Sequence, residues 1–199
     1  AIVDDPTRCF PPPSGPMNVW TVAPRDHSLF GTGEKVTRFT GHAYGDGSGV
    51  TPFDERSTRC GYGVVQIDNN NGIYSLRACL VGPLPGPIQA TPAAEAYALL
   101  QYILNAVDNP GLIFYSDCAW VVDSFSGGRS ATIGALKVHA DIWRLIWGAY
   151  DARQNGIGVT KVKAHATASD IIAGYPEGHK EGNAYADAAA KLGRSWHPW

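Results

Sequence analysis

The chain is poor in the residues that usually give a protein away. Its 199 positions include four cysteines and one methionine. Cys9, Cys60, Cys79 and Cys118 share no short spacing, and no Cys-x-x-Cys or Cys/His grouping of zinc-finger type occurs. A chain of this length buries a core without covalent staples, so the thiols are expected to be reduced. No apolar run reaches the length of a bilayer span, and the first residues lack the charged and apolar regions of a secretory signal. Neither charge dominates: 16 Lys and Arg stand against 18 Asp and Glu, a formal net charge of −2. Nucleic-acid binding by bulk charge is therefore excluded, and such a partner has to be met by a local site.

Glycine and proline are plentiful, at 23 and 14 residues, and much of both falls early in the chain. Cys9-Phe10-Pro11-Pro12-Pro13-Ser14-Gly15-Pro16 and Gly31-Thr32-Gly33 predict extended or irregular backbone. Residues 1–35 read as an extension or linker, 36–193 as a folded domain and 194–199 as a tail. A start at Ala1 rather than Met makes a segment of a longer chain the expectation.

Beyond Val36 the pattern becomes regular. Strands are expected at Phe39–Asp46, ending in the turn Gly47-Ser48-Gly49, and at Gly61–Ile67 and Ile73–Leu80 around the hairpin signal Asp68-Asn69-Asn70-Asn71-Gly72. Thr91-Pro92 starts a helix to about Ala106, with Thr91 as cap and Leu99, Ile103 and Ala106 on one stripe. Leu112–Ser116 reads as a buried strand, Ala119–Phe125 as a short helix before the loop Ser126-Gly127-Gly128. Ala135–Gln154 reads as a long helix with Val138, Ile142, Leu145 and Ala149 inward, and Val159–Lys163 as a strand. A last helix spans about Asn183–Leu192 with Gly193 as its C-cap. An antiparallel meander followed by α/β crossovers implies an α/β fold with a mixed sheet and helices on its faces.

Four carboxylates stand where structural ones are uncommon. Asp46 closes the first strand, Glu95 lies on the core-facing stripe of its helix, Asp117 follows Leu112-Ile113-Phe114-Tyr115-Ser116, and Asp187 sits between Ala184 and Ala188. Each has a structural reading: a turn residue for Asp46, a helix-start charge for Glu95, a cap for Asp117 and a solvated helix residue for Asp187. Together they are costly, since two carboxylates 4 Å apart repel by about 4 kcal/mol at an effective dielectric near 20. Oxygen-only donors suit Mg²⁺ or Mn²⁺, and two such ions can serve an in-line phosphoryl displacement.

These segments resemble type-1 ribonuclease H, in the form attached to the reverse transcriptases of retroelements. Tyr44-Gly45-Asp46-Gly47-Ser48-Gly49 is similar to its first-strand motif, Ala94-Glu95-Ala96 to its helix Glu, and Ser116-Asp117-Cys118 to its strand Asp. Val162-Lys163-Ala164-His165 is similar to the motif before its mobile histidine, and Gly182-Asn183-Ala184-Tyr185-Ala186-Asp187 to its last helix. The resemblance implies a mixed five-stranded sheet with helices on both faces. It also implies two Mg²⁺ ions, replaceable by Mn²⁺, and cleavage of the RNA strand of an RNA–DNA hybrid to 3′-hydroxyl and 5′-phosphate ends. Asp46 would be shared by both ions, Glu95 and Asp117 would hold the leaving-group ion, and Asp187 would complete the other. His165 would assist proton transfer or product release, with His179 as the other candidate histidine. Gly47, Ser48, Gly49, Gln89, Thr91 and Asn183 would meet the substrate, Asn183 alternatively orienting the histidine loop. A reverse transcriptase domain N-terminal to this segment, no membrane partner and a monomeric state complete the expectation.

The chain also departs from the family pattern. Before Glu95 only Gln89 and Thr91 offer hydrogen bonds, Ala119 stands where a Gln is common, and Ser126–Gly134 is short with Arg129 as its one cation. A basic protrusion is therefore expected to be absent, and hybrid affinity to be modest and salt-dependent. Two other readings stay open: a non-catalytic docking domain of a polyprotein, and a related nuclease with another nucleic-acid substrate.

Overall fold

Two residues with positive φ, Asn71 and Gly72, close the long hairpin at the centre of the molecule, as a two-residue I′-type turn requires. A computed structural model of the chain describes residues 19–20, 38–50 and 58–197. The hairpin joins β3 (Arg59–Asn70) to β4 (Ile73–Pro83), and β2 (Ala43–Val50) lies antiparallel on the other side of β3. β5 (Leu112–Ser116) adds parallel to β2, and β6 (Ile157–Lys161) parallel to β5. The mixed five-stranded sheet is thus present. A two-residue strand, β1 (Val19–Trp20), extends it at the β4 edge and gives the order β1-β4-β3-β2-β5-β6. The rest of the Pro-rich start, with Cys9, lies outside the described residues.

Helices cover both faces. α1 (Thr91–Asn105), α2 (Ala119–Thr132) and α3 (Ala140–Asp151) enclose the larger core, built on Phe39, Val64, Leu80, Leu99, Tyr102, Phe114, Ile142 and Trp143. α5 (Glu177–Ser195) packs Ala186 and Ala189 on the opposite face, against Tyr44, Val65, Cys79 and Val81. α1 is buried almost all round, from Ala93 to Ile103 without a break. This sandwiched position explains its many alanines, because a helix pressed between a sheet and another helix has no solvated stripe.

Several expected boundaries shift for identifiable reasons. Gly47-Ser48-Gly49 is not a turn but part of β2. A Cβ at Gly47 would sit 2.5 Å from the Glu95 amide nitrogen, so glycine there lets α1 lie directly on the strand. The cap of α1 is Ala90 rather than Thr91, with Pro92 in the first turn. α2 runs through Ser126 and Gly127 to Thr132, bent at Gly128 (φ 72°). α3 begins only at Ala140, because His139 takes a left-handed conformation before it; Val138 is exposed, and Ile142, Trp143, Ile146 and Trp147 form the buried stripe. α5 starts at Glu177 and continues past Gly193, which is a close-packing residue against the Gly82 carbonyl and not a C-cap. A short helix, α4 (Ala168–Ile172), went unseen in the sequence although Thr167 and Asp170 form a capping box at its start.

Candidate active site

Strand alternation sends Tyr44, Asp46 and Ser48 to the α5 side of β2. Tyr44 packs over Gly182, and Ser48 Oγ accepts a 2.9 Å hydrogen bond from Arg194 Nη1. Asp46 is 8% exposed, and its Oδ1 accepts from the Gly47 amide at 2.9 Å. The parallel pairing of Gly45 with Ser116 brings the residue just past β5, Asp117, alongside Asp46. Glu95, one turn into α1, is 6% exposed and approaches from the helix that rests on Gly47. Asp46, Glu95 and Asp117 each present a carboxylate oxygen, all within 4.8 Å of one another.

At 4.8 Å each ionised pair would repel by about 3.5 kcal/mol at an effective dielectric near 20. The cost appears as proton uptake. Burial first, then the negative charges of Asp117 and Asp187, push Asp46 up to about 6 despite a hydrogen bond from Glu95. Burial, and next the Asp46 charge, raise Glu95 well above the usual carboxylate range. Glu95 Oε2 is buried without a hydrogen-bond partner. A three-carboxylate, oxygen-only donor set with an orphaned oxygen fits a hard divalent cation such as Mg²⁺ or Mn²⁺.

The fourth carboxylate is not in this cluster. Asp187 faces Lys191 one turn on in α5, Oδ2 to Nζ 2.7 Å. Helical i,i+4 spacing seats an ammonium beside Asp187, the acid expected to complete the second ion. Its charge still reaches Asp46.

The residues expected at the substrate are placed variously. The space beside Gly47 and Gly49 is filled by α1, with Thr91 Oγ1 over Gly49. Gln89 is turned inward: its Oε1 accepts from Cys60 N at 2.9 Å and its Nε2 donates to the carbonyls of Leu84 and Gly86. The Gln89 amide thus ties the β4–α1 connection to β3. Asn183 is 4% exposed, and its Nδ2 donates to Asp117 Oδ2 at 2.9 Å.

The two histidines differ. His165 is exposed on the segment after β6, in a left-handed conformation (φ 48°), outside the carboxylate cluster. His179 is enclosed: its Nδ1 lies 3.0 Å from Tyr44 Oη, and its ring packs on Tyr115 and Tyr175 at centroid distances of 4.6 and 6.0 Å. Burial holds its pKa below the usual imidazole value. Tyr175 Oη also accepts from the Lys163 amide at 2.8 Å, closing the base of the segment that carries His165. Of the two, His165 is the exposed one and His179 the one held by its neighbours.

One residue at the site was missed in the sequence. Lys161, the last of β6, donates from Nζ to the Asp117 carbonyl at 2.9 Å. Its place follows from the pairing of Ser116 with Lys161, a register that no local pattern reveals. Cys60, Cys79 and Cys118 are free thiols, as expected. Among the described residues no helix is long and apolar enough to cross a membrane.

A mixed sheet flanked by helices, with an acidic triad where β2, the end of β5 and α1 meet, has a ribonuclease H-like fold. Among solved structures the chain is similar to LC9-RNase H1, described as a type 1 RNase H with the type 2 active-site motif. That match has a TM-score of 0.56 and 15% identity, covering 81% of this chain and 75% of that one. It is also similar to LC11-RNase H1 in complex with RNA/DNA hybrid, with a TM-score of 0.50 and 16% identity over 77% of this chain and 95% of that one. No protein-family model and no curated protein matches the sequence.

Proposed function

We propose that this chain is a divalent-metal-dependent endoribonuclease that cuts the RNA strand of RNA–DNA hybrids, leaving 3′-hydroxyl and 5′-phosphate ends. The observation that carries the reading is the triad of buried Asp46 and Glu95 with half-buried Asp117, and its orphaned Glu95 oxygen. The fold and the hybrid-bound LC11-RNase H1 neighbour support the substrate class. Asp46, Glu95 and Asp117 would hold one ion, and Asp187, once parted from Lys191, would help hold a second. Bound there, such ions supply an activated water and neutralise charge on the phosphate in flight.

The chain's own groups do the rest. Asp46, fixed by the Gly47 amide, and Asp117, fixed by Asn183, keep their carboxylates oriented without rearrangement. The burial of Glu95 and Asp46 excludes water from the inner side of the cluster, which strengthens charge interactions there. His165, solvent-exposed, accepts or returns a proton at its imidazole as the product leaves. RNA is told from DNA by its 2′-hydroxyls, read across the minor groove.

The test is cleavage of an end-labelled hybrid with Mg²⁺, Mn²⁺ or EDTA, beside double-stranded RNA and DNA. Metal-dependent cutting confined to the RNA strand of the hybrid is the expected result. Equal cutting of another duplex would overturn the substrate assignment, and no cutting with any metal would favour a docking domain.

A further inference from the structure

The residues that the sequence offered for gripping nucleic acid are absent or engaged within the fold. Ala119 has no hydrogen-bonding side chain, and both ends of the Gln89 amide are bonded to backbone. Nearby cations are mostly neutralised: Lys163 faces Asp170, Lys180 faces Glu181 and Lys191 faces Asp187. Lys161 and Arg194 are different. Among the described residues neither pairs with a carboxylate, and each rests on neutral oxygens next to a triad acid. Lys161 donates to the Asp117 carbonyl itself. Arg194 donates to Ser48 Oγ and, at 3.3 Å, to the Gly49 carbonyl, just beyond Asp46 on β2.

A hydrogen bond from an exposed ammonium to a neutral carbonyl is weak in water, whereas an ammonium–phosphate contact is charge-assisted and releases counterions. Exchanging the first for the second is favourable, and Lys161 is exposed at the sheet edge where such an exchange is open to it. We propose that Lys161, with Arg194 on the opposite side of the triad, binds backbone phosphates flanking the scissile position of a nucleic-acid duplex. The assignment rests on the nuclease reading above and adds the residues that hold its substrate.

Binding of a short fluorescent RNA–DNA hybrid, measured by anisotropy in Ca²⁺ over about 50–300 mM salt, tests it. Lys161→Met is expected to weaken binding severalfold at low salt and to lower the slope of log K against log salt by about 0.9. Lys161→Arg should restore the slope. Adding Arg194→Met should lower it by a similar step, while Arg77→Met, on the distant hairpin, should leave it unchanged. The thermal midpoint and the Mn²⁺ titration of Lys161→Met should match the parent, since the side chain is exposed and is not a metal ligand. A Lys161→Met slope equal to that of Arg77→Met would overturn the proposal. If the parent binds another duplex better than the hybrid and Lys161→Met still lowers that slope, the phosphate role stands and the hybrid assignment falls. If the parent binds no duplex, both fall.

Discussion

Nδ2 of Asn183 lies 2.9 Å from Oδ2 of Asp117, a residue 66 positions earlier in the chain. One hydrogen bond thus joins α5, on one face of the sheet, to the end of β5, and aims a carboxylate that has no other side-chain donor among the described residues. Asn183→Ala should lower Mn²⁺ affinity about 10–100-fold, as loss of a group that orients a ligand does. Calorimetric Mn²⁺ titration checks this. Stability should fall as well, by about 1–3 kcal/mol, because a buried side chain and its hydrogen bond to a carboxylate are lost.

Asp46→Asn should reduce hybrid cleavage to background while stabilising the metal-free protein. In the folded chain Asp46 titrates near 6 against an ordinary 3.8, so between these pH values the folded state holds more protons than the unfolded one. Stability without metal therefore falls as pH rises from about 4 to 6 and stays low above it. Urea midpoints in EDTA should show that decline for the parent and a flatter profile for Asp46→Asn. Mg²⁺ should recover the parent at pH 7.

Tyr44→Phe removes the hydroxyl partner of His179 while keeping the ring that stacks on Tyr115 at 4.9 Å. Amide exchange over residues 163–179 should accelerate, while α1 and the central strands keep their protection. Unchanged exchange in that segment would deny His179 its anchoring role.

Gly47→Ala should cost about 1–3 kcal/mol, because the new methyl meets the backbone of α1 rather than a flexible side chain. Chemical denaturation measures it, and cleavage at low temperature should fall with it as α1 carries Glu95 away from Asp46.

Gln89→Ala should lose stability and leave hybrid affinity nearly intact, since its amide ties Cys60 to the β4–α1 connection. The reverse outcome, normal stability with weak binding, would return Gln89 to the substrate.

The legible parts of the fold were those governed by local rules. Leu112–Ser116 was readable to the residue because the run is too short for a helix and follows the break Asn109-Pro110-Gly111. The start of α3 was not, because a single left-handed residue, His139, shifts the inward stripe, and helical periodicity cannot show where a helix begins. Gly47-Ser48-Gly49 looked like a turn on composition, and only the helix lying on it makes it a strand. Lys161 was silent for a similar reason: an ammonium at a strand end is ordinary until parallel pairing sets it beside Asp117.

By itself the sequence determined the order of the main strands and helices, though not β1 or α4, and marked Asp46, Glu95, Asp117 and Asp187 as carboxylates out of place, because periodicity and desolvation act on each residue where it stands. Only the tertiary structure decided which acids meet, that Asp187 answers to Lys191, and which histidine is held. Those outcomes depend on distances of a few ångströms between segments far apart in the chain. Such distances are set by strand register and helix packing, which no local pattern encodes.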